Sequence, residues 1–476
     1  MRNSFLLIVT FVCCLSKPIQ AQQKWALADC IHYASTHNTS LQMANLNVSI
    51  EEYTLKQKRL DLLPSLNGNA SYAFNIGRVV DPTTYNFVTG NIQTNNFGVS
   101  SNLNLFSGFQ KQNAIKQQAF KLESSKAANQ ESLLNLDIQI ANDYLQVLMS
   151  RENVKIAEDQ LHSSKEQQNF TQKLVTAGKL PEGDLLDINS KVASDQLSLV
   201  NAKNQETSVL LNLRIRMNLP SGEAFDIITP SDQALVNIGE IPPLEAVIQK
   251  AALVHPSIMK AQYNMHSAEK GLDIAKGSYY PSLDLFANWG TNYSNQRKQY
   301  ELVPRGFDTI GTVLPSGEQV IANFPTFDSK ELDFPYMDQL KNDFNQVYGI
   351  SLRIPIFNNF QSRSLVETAR VQYQIADLNF TDTRNQLENT IQQVHANALA
   401  AKSQFEASQK NVEAMENSFK YARIRAEQGM LNSLDFITAQ NNFNMARAAL
   451  LQAKYELLFS LMILDIYQGK PIQNLN

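Results

Sequence analysis

The chain has 476 residues, 41 Lys and Arg against 45 Asp and Glu, a formal charge of −4, and three cysteines. So mild an acidity offers no basic footprint for nucleic acid. Only Cys30 lies beyond the N-terminal segment, so an intrachain disulfide is excluded and packing with backbone pairing must hold the fold.

Residues 1–21 read as a signal peptide: Arg2 supplies the positive start, Phe5 to Leu15 the apolar run, and Ile19-Gln20-Ala21 the cleavage point before Gln22. Val12 before Cys13, and Cys13 before Cys14, do not supply the small residue that precedes a lipid-modified cysteine. Its removal takes away Arg2 and Lys17 and leaves a balance of 39 − 45 = −6. Farther along, no apolar run approaches the ~18 residues of a transmembrane helix. A membrane location would therefore require a closed barrel.

The rest of the chain is a duplication. Leu27-Ala28-Asp29-Cys30-Ile31 matches Leu244-Glu245-Ala246-Val247-Ile248 at an offset of 244 − 27 = 217, and Pro64-Ser65-Leu66 matches Pro281-Ser282-Leu283 at the same offset. The offset then becomes 348 − 97 = 251, bringing Phe97-Gly98-Val99-Ser100 onto Tyr348-Gly349-Ile350-Ser351. At that second offset Phe106 and Phe109-Gln110 fall on Phe357 and Phe360-Gln361, and Gly178, Leu180 and Asp184 on Gly429, Leu431 and Asp435. The expected organisation is a first repeat over 22–219, a linker rich in Pro, Gly and Asp over 220–243, and a second repeat over 244–476. The second copy carries 251 − 217 = 34 extra residues near 295–343, expected to form an extracellular loop.

In chain order, each copy predicts two helices, two strands and a long helical hairpin. The strands are expected near 67–80, 95–106, 282–294 and 344–356, the hairpins over 109–219 and 358–468. Each strand alternates with period two. Ala70, Tyr72, Phe74 and Ile76 oppose Asn69, Ser71, Ala73 and Asn75. Phe97, Val99, Leu103 and Leu105 oppose Asn96, Gly98, Ser100, Asn102 and Asn104. Leu283, Leu285, Ala287, Trp289 and Tyr293 oppose Asp284, Asn288, Gly290 and Asn292; Tyr348, Ile350, Leu352, Ile354 and Ile356 oppose Asn345, Gly349, Ser351 and Arg353. Strands of about ten residues with one apolar and one small or polar face suit a barrel wall between lipid and a wet lumen. Four strands do not close a barrel, and open edges are not tolerated in lipid, so closure requires several chains.

The hairpin helices are long. No Pro or Gly interrupts Phe109 to Thr176, and Leu133, Ile140, Val147, Val154 and Leu161 recur every seven residues. Ile391, Ala398, Phe405, Val412 and Phe419 repeat the seam in the second copy. On the returning helices it is carried by Phe436, Phe443, Leu450, Leu457 and Leu464, and by Leu185, Val192, Leu199 and Leu213, with Glu206 the exception. Such seams predict side-by-side coiled-coil packing.

Together with Leu-Pro-Ser-Leu at 63–66, Tyr-Pro-Ser-Leu at 280–283 and Ile354-Pro355-Ile356-Phe357-Asn358-Asn359, these features resemble the TolC family of outer-membrane efflux channels over essentially the whole mature chain. The resemblance implies an α+β membrane protein: a trimeric 12-stranded β-barrel, four strands per chain, continuous with a periplasmic α-helical barrel. It implies a passive conduit in the cell outer membrane, docked by a periplasmic adaptor (membrane fusion) protein that connects it to an inner-membrane pump. It places the adaptor contact at the hairpin tips, on Gly178, Leu180, Gly429, Leu431 and Ser433. It places the periplasmic gate on the carboxylates Asp184, Asp187 and Asp435. A second acid three residues after Asp435 is common in the family, but here that position is Thr438.

No catalytic, cofactor or metal constellation is found. The six histidines are scattered, and no nucleophile elbow or phosphate loop appears. Met259, Met265 and His266 lie on a predicted helix and read as packing residues. Two alternatives remain at this stage, a type I protein secretion channel of the same architecture and a periplasmic coiled-coil scaffold without a pore. The scaffold leaves the amphipathic strands unexplained.

Overall fold

A computed structural model describes residues 24–80, 85–222, 224–229, 240–428 and 430–470. The signal peptide with its cleavage point, and Gly429, lie outside these residues. The first half contains β1 (Lys24–Trp25), α1 (Leu27–His37), α2 (Thr39–Leu60), β2 (Ser65–Val80), β3 (Phe87–Ser107), α3 (Gln110–Thr176) and α4 (Glu182–Arg216). After β4 (Asp226–Ile227) the order recurs as α5 (Leu244–Val254), α6 (Pro256–Gly277) and β5 (Ser282–Ser294). Then come β6 (Lys298–Gly306), β7 (Thr309–Thr312), β8 (Gln319–Ile321), β9 (Thr326–Asp333) and α7 (Tyr336–Asn342), followed by β10 (Asn345–Arg353), α8 (Gln361–Glu427) and α9 (Ser433–Tyr467). Corresponding helices have equal lengths: 11 residues for α1 and α5, 22 for α2 and α6, 67 for α3 and α8, 35 for α4 and α9. At 1.5 Å per residue the longest run about 100 Å. No helix among the described residues is long and apolar enough to cross a membrane. The described residues fall into two compact units, one within 1–54, 118–268 and 372–476, the other within 55–117 and 269–371.

In the second unit, four antiparallel strands pair in the order β10-β5-β3-β2. Opposed residues of an antiparallel pair share a face, and the register assigns both faces. One joins Ala70 to Phe97, Val99 to Trp289, Leu103 to Leu285, and Leu285 in turn to Ile350. The other joins Ser71 to Asn96, Ser100 to Asn288, Asn104 to Asp284, and Asp284 to Ser351. Among the described residues, β2 and β10 are each paired on one side only.

Three details depart from simple alternation. A β-bulge between Asn104 and Phe106 takes Leu105 out of register and pairs Phe106 with Leu283. β10 ends at Arg353, so Ile354 and Ile356 lie beyond the strand. Phe286 sits on the polar face, its ring over Gly349, where a Cβ would meet the ring's Cζ at 2.4 Å.

Each long helix leaves its strand through a two-residue left-handed turn. Gly108 and Phe109 have φ of 60° and 61°, and Asn359 and Phe360 have φ of 53° and 59°. The aromatic braces of these turns repeat too: Phe106 packs edge-on against Phe109 with centroids 5.2 Å apart, and Phe357 against Phe360 at 5.7 Å. The first turn also fits tightly against the end of α6, because a Cβ on Gly108 would lie 2.3 Å from the Gly277 carbonyl oxygen.

In the helical unit the heptad seams form the core. Ile140 and Val147 join Leu27, Cys30, Tyr144, Leu213 and Ile227 in the largest buried cluster. Ile391, Ala398 and Leu464 build a second with Val247 and Ala251, and Val154, Leu161 and Leu199 a third. Glu206 breaks the seam because it accepts from Arg151 Nε at 3.0 Å. Arg151 also pairs with Asp226 and donates to the Ile227 carbonyl at 2.8 Å. This fastens the short parallel pair β1–β4, onto which the Tyr144 hydroxyl also bonds through the Ile228 carbonyl at 2.8 Å. Burial pushes the Cys30 thiol up to about 12.

The insert expected as a loop contains regular structure. β6 pairs with β9 and β7 with β8 as antiparallel ladders, and α7 leads back into β10. The ladder tolerates Pro304 beside the irregularity at Gly306.

Candidate functional site

The α3–α4 hairpin turns through a Schellman motif. Gly178, at φ 74°, donates to the Val175 carbonyl at 2.9 Å, and the Lys179 amide returns to Leu174 at 2.9 Å. The α8–α9 hairpin carries the matching outer bond, Met430 amide to Arg425 carbonyl, at 2.8 Å. α9 is then capped by the Asn432 side chain, whose Oδ1 accepts from the Asp435 amide at 2.7 Å. Asp184 occupies the matching position of α4, with its amide bonded to the Pro181 carbonyl at 3.2 Å. First-turn carboxylates at both places gain from the positive end of the helix dipole.

These residues are not equally presented. Asp187 and Asp435 are exposed and Asp184 is half-buried, and among the described residues no cation pairs with any of the three. Leu180 and Leu431 are half-buried, Gly178 is exposed, and Ser433 is buried at the start of α9. The apolar side chains that do protrude at the tips are Leu186, Met430 and Leu434, each more than 60% exposed. The seven-residue periodicity does not mark them, because they lie off the heptad seam.

A second feature escaped the sequence. Farther along the hairpins, the Lys191 ammonium sits 2.7 Å from Asp195 Oδ1, with the two residues only 9% and 1% exposed. Asp195 also accepts from Gln160 Nε2 at 2.5 Å and from the Ser164 hydroxyl. Gln440, from α9, donates to Ser164 Oγ at 3.3 Å and to the Gln160 carbonyl at 3.4 Å. Thus one buried polar node ties α3, α4 and α9 together. Outside it, Arg447 pairs with Asp159 at 3.0 Å and Arg423 with Glu166 at 3.4 Å.

In the strand unit, the polar face presents Asn67, Asn69, Ser71, Asn96, Ser100, Asn102, Asn288 and Asn292, with Asp284 held by Asn104 at 2.8 Å. A wall of neutral hydrogen-bonding groups and few fixed charges suits a water-filled conduit.

The sequence profile of the outer membrane efflux protein family matches residues 30–217 and 247–465. The chain belongs to this family. The toluene efflux pump outer membrane protein TtgC of Pseudomonas putida is 21% identical over 449 residues, covering 90% of this chain and 81% of its own. The cation efflux system protein CusC of Escherichia coli is 21% identical over 438 residues, covering 89% and 82%. Among solved structures, the outer membrane protein VceC of Vibrio cholerae superposes with a TM-score of 0.73 at 16% identity, covering 94% of this chain and 97% of that one. The protein is an outer-membrane efflux channel, and its long helices fit the periplasmic helical barrel of that fold.

Proposed function

We propose that three copies of this chain close a 12-stranded barrel and form the exit duct of a tripartite efflux system, entered at the hairpin tips. The observation that supports closure by several copies is the four-stranded sheet with an apolar face and two one-sided edges; three is the number that the family resemblance implies. Such edges are satisfied in lipid only by pairing β10 of one copy with β2 of the next. Relatives named as parts of a toluene pump and a cation efflux system support a pump as the energy source. A periplasmic adaptor would bridge the two. Its contact falls on Gly178, Leu180, Gly429 and Leu431, with Ser433 supporting the turn and Leu186, Met430 and Leu434 supplying exposed apolar area.

Asp435, its first-repeat counterpart Asp184, and Asp187, whose second-repeat position is Thr438, set the charge of the periplasmic entrance. The ring of three symmetry-related carboxylates attracts cations, and a cation ~4 Å from any one of them gains about 1 kcal/mol in water, the other two being too far to add much. Asp435→Ala is therefore expected to lower the cation-over-anion permeability ratio in planar bilayers by about fivefold. An unchanged ratio, from channels of normal conductance, would remove Asp435 from the gate.

A further inference from the structure

We infer that α7 is a membrane-interface collar: a short helix laid on the outer wall of the barrel, with its free side in the headgroup layer of the outer leaflet. The inference uses the lipid-facing assignment of the sheet's apolar face and is independent of how many chains close the barrel.

The register locates the helix. Asn95, Tyr293 and Thr291 lie on the same face as Val99, Trp289, Leu285 and Ile350, since Asn95 pairs with Tyr293, Phe97 with Thr291 and Val99 with Trp289. All three hold α7. The Thr291 hydroxyl donates to the Leu340 carbonyl at 2.6 Å, Asn95 Nδ2 donates to the Tyr336 hydroxyl at 2.9 Å, and the rings of Tyr293 and Tyr336 lie 4.6 Å apart. The helix therefore covers the far end of the lipid-facing surface, beyond a pair that marks the membrane boundary. In that pair Trp289 Nε1 donates to the Tyr348 hydroxyl at 3.0 Å, and amphipathic rings of this kind sit at the lipid–water interface.

The seat is rigid. Gln339, 1% exposed, accepts from the Ser294 amide at 3.1 Å and donates to the Phe334 carbonyl at 2.8 Å. Arg297 pairs with Asp343 and stacks over the Phe334 ring at 5.1 Å. The outward side of this fixed segment carries Met337 at 63% and Phe344 at 52% exposure, beside the polar Asp338, Lys341 and Asn342. Apolar side chains pinned at this depth, with polar neighbours on the same turn, match an interfacial helix. A neighbouring copy is not the occupant, because α7 lies over β3 and β5, the inner strands of the sheet, while copies would join at β2 and β10.

The test uses full-length Met337→Cys, Ile350→Cys and Leu314→Cys proteins, each labelled with an environment-sensitive fluorophore and reconstituted into phosphatidylcholine vesicles. The processed protein lacks Cys13 and Cys14 with its signal peptide, and Cys30 is fully buried, so labelling is confined to the introduced site. The vesicles carry spin-labelled lipid with the quencher near the headgroup or near the end of the acyl chain. Ile350 should be quenched best by the deep label. Met337 should be quenched best by the shallow one, at least about twofold more than Leu314, which is 89% exposed in the insert. If Met337 is quenched no more than Leu314 while Ile350 responds, the collar is wrong and the barrel stands. If Ile350 is also silent, the lipid-facing assignment itself fails, and the collar with it.

Discussion

Lys191→Met is expected to destabilise the helical unit by about 3–5 kcal/mol, because it strands the Asp195 carboxylate without its cation inside the packed helices. Asp195 is 1% exposed and would retain only Gln160 and Ser164 as partners. Asp195→Ala should cost a similar amount by leaving the ammonium unpaired. The double replacement Lys191→Met with Asp195→Leu should recover most of the loss, and a buried pair replaced by apolar groups of similar size is often neutral or better by about 1–4 kcal/mol. Helical circular dichroism in guanidinium, on the detergent-extracted protein, reads all three. A single variant within about 1 kcal/mol of the parent would show that the node does not hold the helices. The double variant should differ in another respect. A polar layer within an apolar seam fixes helix register. Its removal should therefore loosen the match between α3–α4 and α9, seen as faster protease cleavage near the tips.

Gly108→Ala is expected to be the most damaging single-methyl change in the strand unit. A non-glycine residue at φ 60° costs about 1–2 kcal/mol. The new Cβ would also lie 2.3 Å from the Gly277 carbonyl oxygen and 2.9 Å from Tyr280 Cβ, forcing backbone to move. Overpacking of that kind adds about 1–3 kcal/mol. The repeat supplies an internal control. Asn359 holds the matching position at φ 53° and already carries a Cβ, so Asn359→Ala should cost no more than about 1 kcal/mol. Heat-resistant folded protein, quantified from outer-membrane fractions, ranks the two. Equal losses would mean that the close approach to Gly277 is not what the turn requires.

The elements legible in the sequence are those whose burial repeats with a fixed period. Alternation placed Tyr72, Trp289 and Ile350 on one face of a sheet because every second residue meets the same solvent. The seven-residue seam placed Ile140, Val147 and Leu457 in the core because helices packed side by side bury every seventh residue alike. What escaped has no period. The Leu105 bulge shifts the register by one residue, and Phe286 sits on a polar face because Gly349 opens room for it. The insert reads as a loop because prolines and glycines interrupt its short strands, and their hydrogen bonds pair distant residues such as Lys298 and Asp333.

The candidate site divides the same way. The glycine turns and their first-turn carboxylates are local chemistry and can be read from a few consecutive residues. The Lys191–Asp195 node depends on Gln440 arriving from α9, 440 − 195 = 245 residues later. Its one local trace is the spacing of four that runs through Lys191, Asp195 and Leu199 and puts the two charges in line with a seam residue. Charges in such a pattern ordinarily mark a solvated face.

The most direct test of the account is the mass of the mature protein extracted from outer-membrane fractions in mild detergent, measured by light scattering with the detergent contribution subtracted. Closure of β10 onto β2 of a neighbouring copy predicts a stable species of three chains. A monomer, above all one recovered from the soluble periplasm, would mean that the four strands form an open sheet and that the barrel does not exist.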